Sequence, residues 1–141
     1  MEVLIKFVVP SHPRYLRLVR AGVGELAAFH ELAPEECRAV MLAVDEALAN
    51  VIRHAYRSDY ERPIEVNCRA LPDRLEFALF DQGEAPDPSR LAPHPLDDVA
   101  LSGRGTHIIR SIMDEVAYEQ LPGGNQLRLT KLLPPRKGAK S

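Results

Sequence analysis

Residues 2–9 are rich in β-branched side chains, which predicts a strand, and Pro10-Ser11-His12-Pro13 breaks the run. Beyond the break Leu16, Val19, Val23, Leu26 and Ala27 recur at helical spacing and predict a first helix. Pro34 followed by Glu35 and Glu36 is a helix start: a missing N–H costs nothing at the first helical position, and carboxylates suit the positive end of the helix dipole. The helix it opens is expected to run to about Tyr56, with Cys37, Val40, Met41, Val44, Leu48, Val51 and Ala55 as its apolar face. Alternating runs at 64–68 and 75–80 flank Leu71-Pro72-Asp73-Arg74 and predict a hairpin.

From Glu84 to Ser102 the chain has four prolines and no period, so a long loop is expected, of the kind that is functional or disordered. After Gly103-Arg104-Gly105 the pattern predicts a short helix through Met113 and a strand near 115–119. A Pro122-Gly123-Gly124-Asn125 turn and a last strand over 126–133 follow. The basic segment 134–141 is expected to fray. This order predicts one α+β domain over residues 1–133, a two-layer sandwich with helices on one face of a mixed sheet.

Composition narrows the function classes. A net charge of −2 gives no field to select nucleic acid, and eight aromatic residues without tryptophan offer no platform for stacking bases. The start MEVLIKFVVP lacks a basic n-region and the apolar length of a signal peptide, and no stretch approaches a membrane span. Cys37 and Cys68 each sit within an apolar pattern, too few for a disulfide framework, and are expected as core residues of a cytoplasmic protein.

Three constellations carry candidate chemistry. Glu46 and Asn50 fall one turn apart on the long helix, away from its apolar face. A carboxylate there could orient a nucleophile and an amide oxygen could bind a hard cation, although polar residues are also what any solvated helix face holds. Asp81 ends an alternating strand with Gly83 two residues on, which suits either an Asx turn or an acceptor for an exocyclic amine beside a backbone that a flat ring can approach. Gly103-Arg104-Gly105-Thr106 opens a helix, a geometry for holding phosphate oxygens on bare N–H groups or for a simple hinge.

In this order the three resemble the N, G1 and G2 boxes of the GHKL superfamily, which includes gyrase and histidine kinases. The stretches 44–56, 109–116 and 127–131 look like bacterial anti-sigma-factor serine/threonine kinases, and the likeness spans about 3–133. The resemblance implies a Bergerat ATP-binding fold, usually dimeric, that phosphorylates a STAS-type anti-anti-sigma protein and sequesters a sigma factor. It implies Glu46 as general base, Asn50 as magnesium ligand, and Asp81 and Gly83 at the adenine. It also implies Thr130 as a further hydroxyl near the adenine, and Gly103, Arg104 and Gly105 at the phosphates under a lid from Glu84 to Ser102.

Thr106 departs from the leucine or methionine common after the second glycine, and His54, one turn beyond Asn50, is read as structural or as a support behind the site residues, not as a ligand. A basic stripe of Arg14, Arg17 and Arg20 on the first helix is either a solvated face or a partner surface. Two other readings stand beside the kinase: a nucleotide-gated binding module without phosphoryl transfer, and a histidine-kinase-related ATPase domain.

Overall fold

A computed structural model describes residues 2–84 and 103–135. Its elements in chain order are β1 (Val3–Pro10), α1 (Leu16–Phe29), α2 (Pro34–Asn50), β2 (Pro63–Ala70), β3 (Arg74–Asp81), α3 (Gly103–Ile112), β4 (Glu115–Leu121) and β5 (Gly124–Leu132). Short turns precede α1 and follow α2. The five strands form one sheet ordered β1-β2-β3-β5-β4.

Every neighbouring pair in that sheet is antiparallel, not mixed as the sequence suggests. The reason is where the crossovers land. β3 and β4, joined through the segment holding α3, run in the same direction, but β5 lies between them and pairs with both. No parallel pair is left as neighbours.

The alternation read in the sequence is the alternation of burial. Ile64, Val66, Cys68 and Ala70 of β2 and Leu75, Phe77 and Leu79 of β3 are buried on one face of the sheet. Val19, Val23 and Leu26 of α1 and Val40, Val44 and Leu48 of α2 close the core from above. Phe77 is the largest side chain wholly removed from water, worth about 1.5–3 kcal/mol of transfer free energy. Both cysteines are buried in this core as expected, and burial pushes the Cys68 thiol up to about 12, which leaves it unreactive at neutral pH.

α2 sits between α1 and α3 and packs on both. Pro34 occupies its first turn, and the Glu36 carboxylate accepts from the Ala33 N–H at 3.3 Å. The expected run to Tyr56 is a change of helix type: α-helical geometry stops at Asn50, and Val51–Ala55 form a π-helical turn. Tyr56 closes that turn, its hydroxyl donating to the Pro63 carbonyl at 2.6 Å and accepting from the Gln82 N–H at 2.8 Å.

Candidate functional site

Asp81 is the last residue of β3 and shares the inner face with Leu75, Phe77 and Leu79, so the pattern that builds the core also carries a carboxylate into it. The residue is 5% exposed. Directly across the ladder stands Asn125 of β5, whose Nδ2 donates to Asp81 Oδ1 at 3.0 Å. The Gly83 N–H donates to that same oxygen at 2.9 Å. Among the described residues no donor reaches Oδ2, which remains an open acceptor.

Burial raises the Asp81 pKa, while the bonds from Asn125 and Gly83 and the charge of Arg62 act in the opposite direction. A largely buried carboxylate with one oxygen free of donors from the described residues suits a ligand that brings an N–H.

Gly83 has a reason to be glycine besides room for a ring. A Cβ built there would collide with the carbonyl of Ala55, the last residue of the π turn, and the next N–H, from Glu84, bonds that carbonyl at 2.9 Å. The extra residue per turn therefore sets the Ala55 carbonyl against the Asp81-Gln82-Gly83 corner. A cleft of about 320 Å³ beside the corner is lined by Tyr56, Arg57, Arg62 and Glu84 among others. Its guanidinium groups are engaged: Arg57 pairs with Glu84 at 2.9 Å, and Arg62 lies over the Tyr56 ring and donates to the Gln82 carbonyl.

Glu46 and Asn50 are half-buried and one turn apart on α2, as the spacing predicts. The flank they occupy can be read from their neighbours. Asp45 bonds Arg20 of α1 at 3.0 Å and Met41 fills the space over Gly24 of α1, so these two mark the side facing α1. By helical geometry Glu46 and Asn50 fall on the flank turned away from α1. The Asn50 Oδ1 accepts from the Arg53 guanidinium at 2.9 Å.

Gly103, Arg104, Gly105 and Thr106 make the first turn of α3, an end whose backbone N–H groups have no partner within the helix. The other end is pinned to β5: the Lys131 ammonium donates to the Ile112 carbonyl at 3.1 Å, and the Asp114 N–H to the Thr130 carbonyl at 2.8 Å. Residues 85–102, where a lid is expected, lie outside the described residues, as do 136–141 of the tail.

One expected site residue is misplaced. Thr130 pairs across the ladder with Glu76, not with Asp81, and so lies on the outer face of the sheet, five strand positions away from the acid. The β5 residue that reaches Asp81 is Asn125, expected only as part of a turn. The hairpin is tighter than its sequence suggests, with Leu121 paired to Gly124, which places Asn125 already on the strand. The arginine stripe also divides: Arg20 is held by Asp45, whereas Arg17 is exposed.

A profile of the histidine kinase-like ATPase domain family matches residues 9–131. The chain belongs to that family. Its relatives include the serine-protein kinase RsbW of Bacillus pumilus, 31% identical over 140 residues that cover 92% of this chain and 86% of that one. The same kinase of Bacillus licheniformis is 28% identical over 137 residues, covering 92% and 85%. The chain is thus a protein serine/threonine kinase of the histidine kinase-like ATPase family, and its nucleotide is ATP. The solved SiaB-SiaC complex from Pseudomonas aeruginosa contains a chain of the same fold, with a TM-score of 0.67 at 13% identity over 92% of this chain and 88% of that one. These likenesses bear out the α+β GHKL-type sandwich.

Proposed function

We propose that this kinase phosphorylates a serine or threonine of a STAS-type anti-anti-sigma protein in the cytoplasm and holds a sigma factor when that protein is unavailable, acting as a homodimer. The observation that carries the nucleotide part is the Asp81 carboxylate, buried, tied through Oδ1 and, among the described residues, met by no donor at Oδ2. An adenine amino group is the donor that oxygen accepts, and a guanine carbonyl in its place would set acceptor against acceptor.

Magnesium is assigned to Asn50. Among the described residues no three His, Cys, Asp or Glu side chains gather into a metal cage. A single amide oxygen suits magnesium, which keeps much of its shell for water and phosphate oxygens. The ion would neutralise phosphate charge. The Asn50 Oδ1 now accepts from the Arg53 guanidinium, which has to swing off that oxygen before a cation can take it.

Glu46, one turn before Asn50, takes the proton from the attacking hydroxyl as its oxygen bonds to the γ-phosphorus and the bridge to the β-phosphate breaks. The first turn of α3, Gly103 to Thr106, supplies backbone N–H groups to the phosphates. Arg17 on α1 belongs to the partner surface. Nothing in the charge balance calls for nucleic acid, and among the described residues no helix is long and apolar enough to cross a membrane.

The test of this reading is calorimetric titration with ATP and GTP, with and without magnesium. ATP binding that is strengthened by magnesium and at least tenfold tighter than GTP binding is expected. Equal binding of the two nucleotides would remove Asp81 from base recognition.

A further inference from the structure

Asn125 is itself held in place from the edge strand. Tyr118 on β4 pairs with Leu127 and so lies on the inner face, diagonal to Asn125, and its hydroxyl donates to Asn125 Oδ1 at 2.7 Å. Among the described residues the other end of the amide faces acceptors only: Asp81 Oδ1 at 3.0 Å, the Gly83 carbonyl at 3.1 Å and the Glu84 carbonyl at 3.4 Å. A flipped amide would set its oxygen against a carboxylate and two carbonyls, so one orientation alone is satisfied.

We propose that Tyr118 and Asn125 are positioning residues for base selection: the hydroxyl fixes the amide, the amide ties up Asp81 Oδ1, and Oδ2 is thereby presented as the acceptor that selects adenine nucleotides. The inference rests on the reading of Asp81 as the adenine contact. A carboxylate turns easily about χ2. Held only by the Gly83 N–H, it would share its two oxygens between the base and water, and the cost of mispairing with guanine would fall.

The charged and titratable groups around the acid agree with this chain of donors. Arg62 draws the carboxylate toward its ionised form, and burial, with the Asp81 charge as a lesser cause, raises the Tyr118 and Tyr56 phenols, which stay protonated and able to donate. Asn125 favours the ionised acid as well. Weakening its bond makes Asp81 take up a proton at higher pH, and a site that needs the carboxylate then loses ATP earlier as pH falls.

The experiment measures ATP and GTP affinity by calorimetry between pH 5 and 8, with melting temperature alongside, for the wild-type chain, Tyr118→Phe, Asn125→Leu and Asp81→Asn. Tyr118→Phe is expected to lower the ATP-to-GTP preference up to about tenfold, the worth of one hydrogen bond, and to move the acid limit of ATP binding to higher pH. Asn125→Leu should do the same more strongly. If Asn125→Leu does not fold, Tyr118→Phe decides alone.

Loss of preference in Asp81→Asn with an unchanged ratio and pH profile in Tyr118→Phe and Asn125→Leu, whatever their melting temperatures, would overturn this inference and leave the adenine contact standing. A wild-type chain without preference for ATP would instead overturn the reading of Asp81 on which the inference rests.

Discussion

The carbonyl of Ala55 stands where a side chain at Gly83 would have to be, so the end of the central helix and the end of the central strand meet with no atom to spare between them. Gly83→Ala is therefore expected to destabilise the protein by about 1–3 kcal/mol, the usual cost of forcing a methyl group into filled space. It should weaken ATP binding as well, because the Gly83 N–H is one of the two donors to Asp81 among the described residues. Chemical denaturation and ATP titration of the variant check both effects, and an unchanged midpoint would show that the corner yields.

Asp81 is maintained against stability. A carboxyl whose pKa is raised in the folded state contributes stability below its unfolded pKa and loses it as pH rises through the folded value, so the ionised acid costs stability at neutral pH. Asp81→Asn keeps the shape and an acceptor for Gly83 and Asn125 without the charge. It is expected to melt higher than wild type at pH 7, with the gap widening as pH rises from the ordinary carboxylate range, and to bind ATP tens-fold more weakly. A lower melting temperature at pH 7 would contradict this account of the acid.

Much of this site is legible in the sequence because periodicity and burial are local. Glu46 and Asn50 follow from a 3.6-residue repeat, and Asp81 from its place at the end of a two-residue alternation. Asn125 does not, because which residue of β5 meets Asp81 depends on register with a strand more than forty positions earlier. Gly-Gly-Asn reads as a turn, and Thr130 reads as a better strand residue. The π turn is hidden for a related reason: Val51, Ile52 and Ala55 continue an apolar helical pattern, and the change of geometry shows only in the folded chain, where the Tyr56 N–H bonds the Val51 carbonyl five residues back. The antiparallel sheet follows from β5 lying between β3 and β4, an order that no segment contains alone.

Asn50→Ala should weaken ATP binding when magnesium is present and change it little in chelator. Thermal stabilisation by saturating ATP reads this through linkage: a tenfold loss of affinity removes about 1.4 kcal/mol of stabilisation. Equal losses with and without magnesium would mean that Asn50 contacts the nucleotide and not the ion.

Arg20→Glu sets a second negative charge beside Asp45 in place of an ion pair, and because both side chains are partly solvated the cost is about 1 kcal/mol or less at low salt. That cost confuses any test of partner binding. Arg17→Glu, on the same helix but exposed, is the cleaner probe. It should cut affinity for the anti-anti-sigma protein while melting temperature and ATP affinity stay at wild-type values. Undiminished affinity, measured by surface plasmon resonance, would place the interface elsewhere.

The most direct measurement is transfer of labelled γ-phosphate to a STAS-type protein, followed by mapping of the labelled residue, for the wild-type chain and Glu46→Gln side by side. The wild-type chain is predicted to label a serine or threonine of the partner. Glu46→Gln should bind ATP and magnesium normally while transferring phosphate about 10²–10⁴-fold more slowly, the usual loss when a general base is removed. Label on a histidine of this chain, or full transfer by Glu46→Gln, would contradict the account.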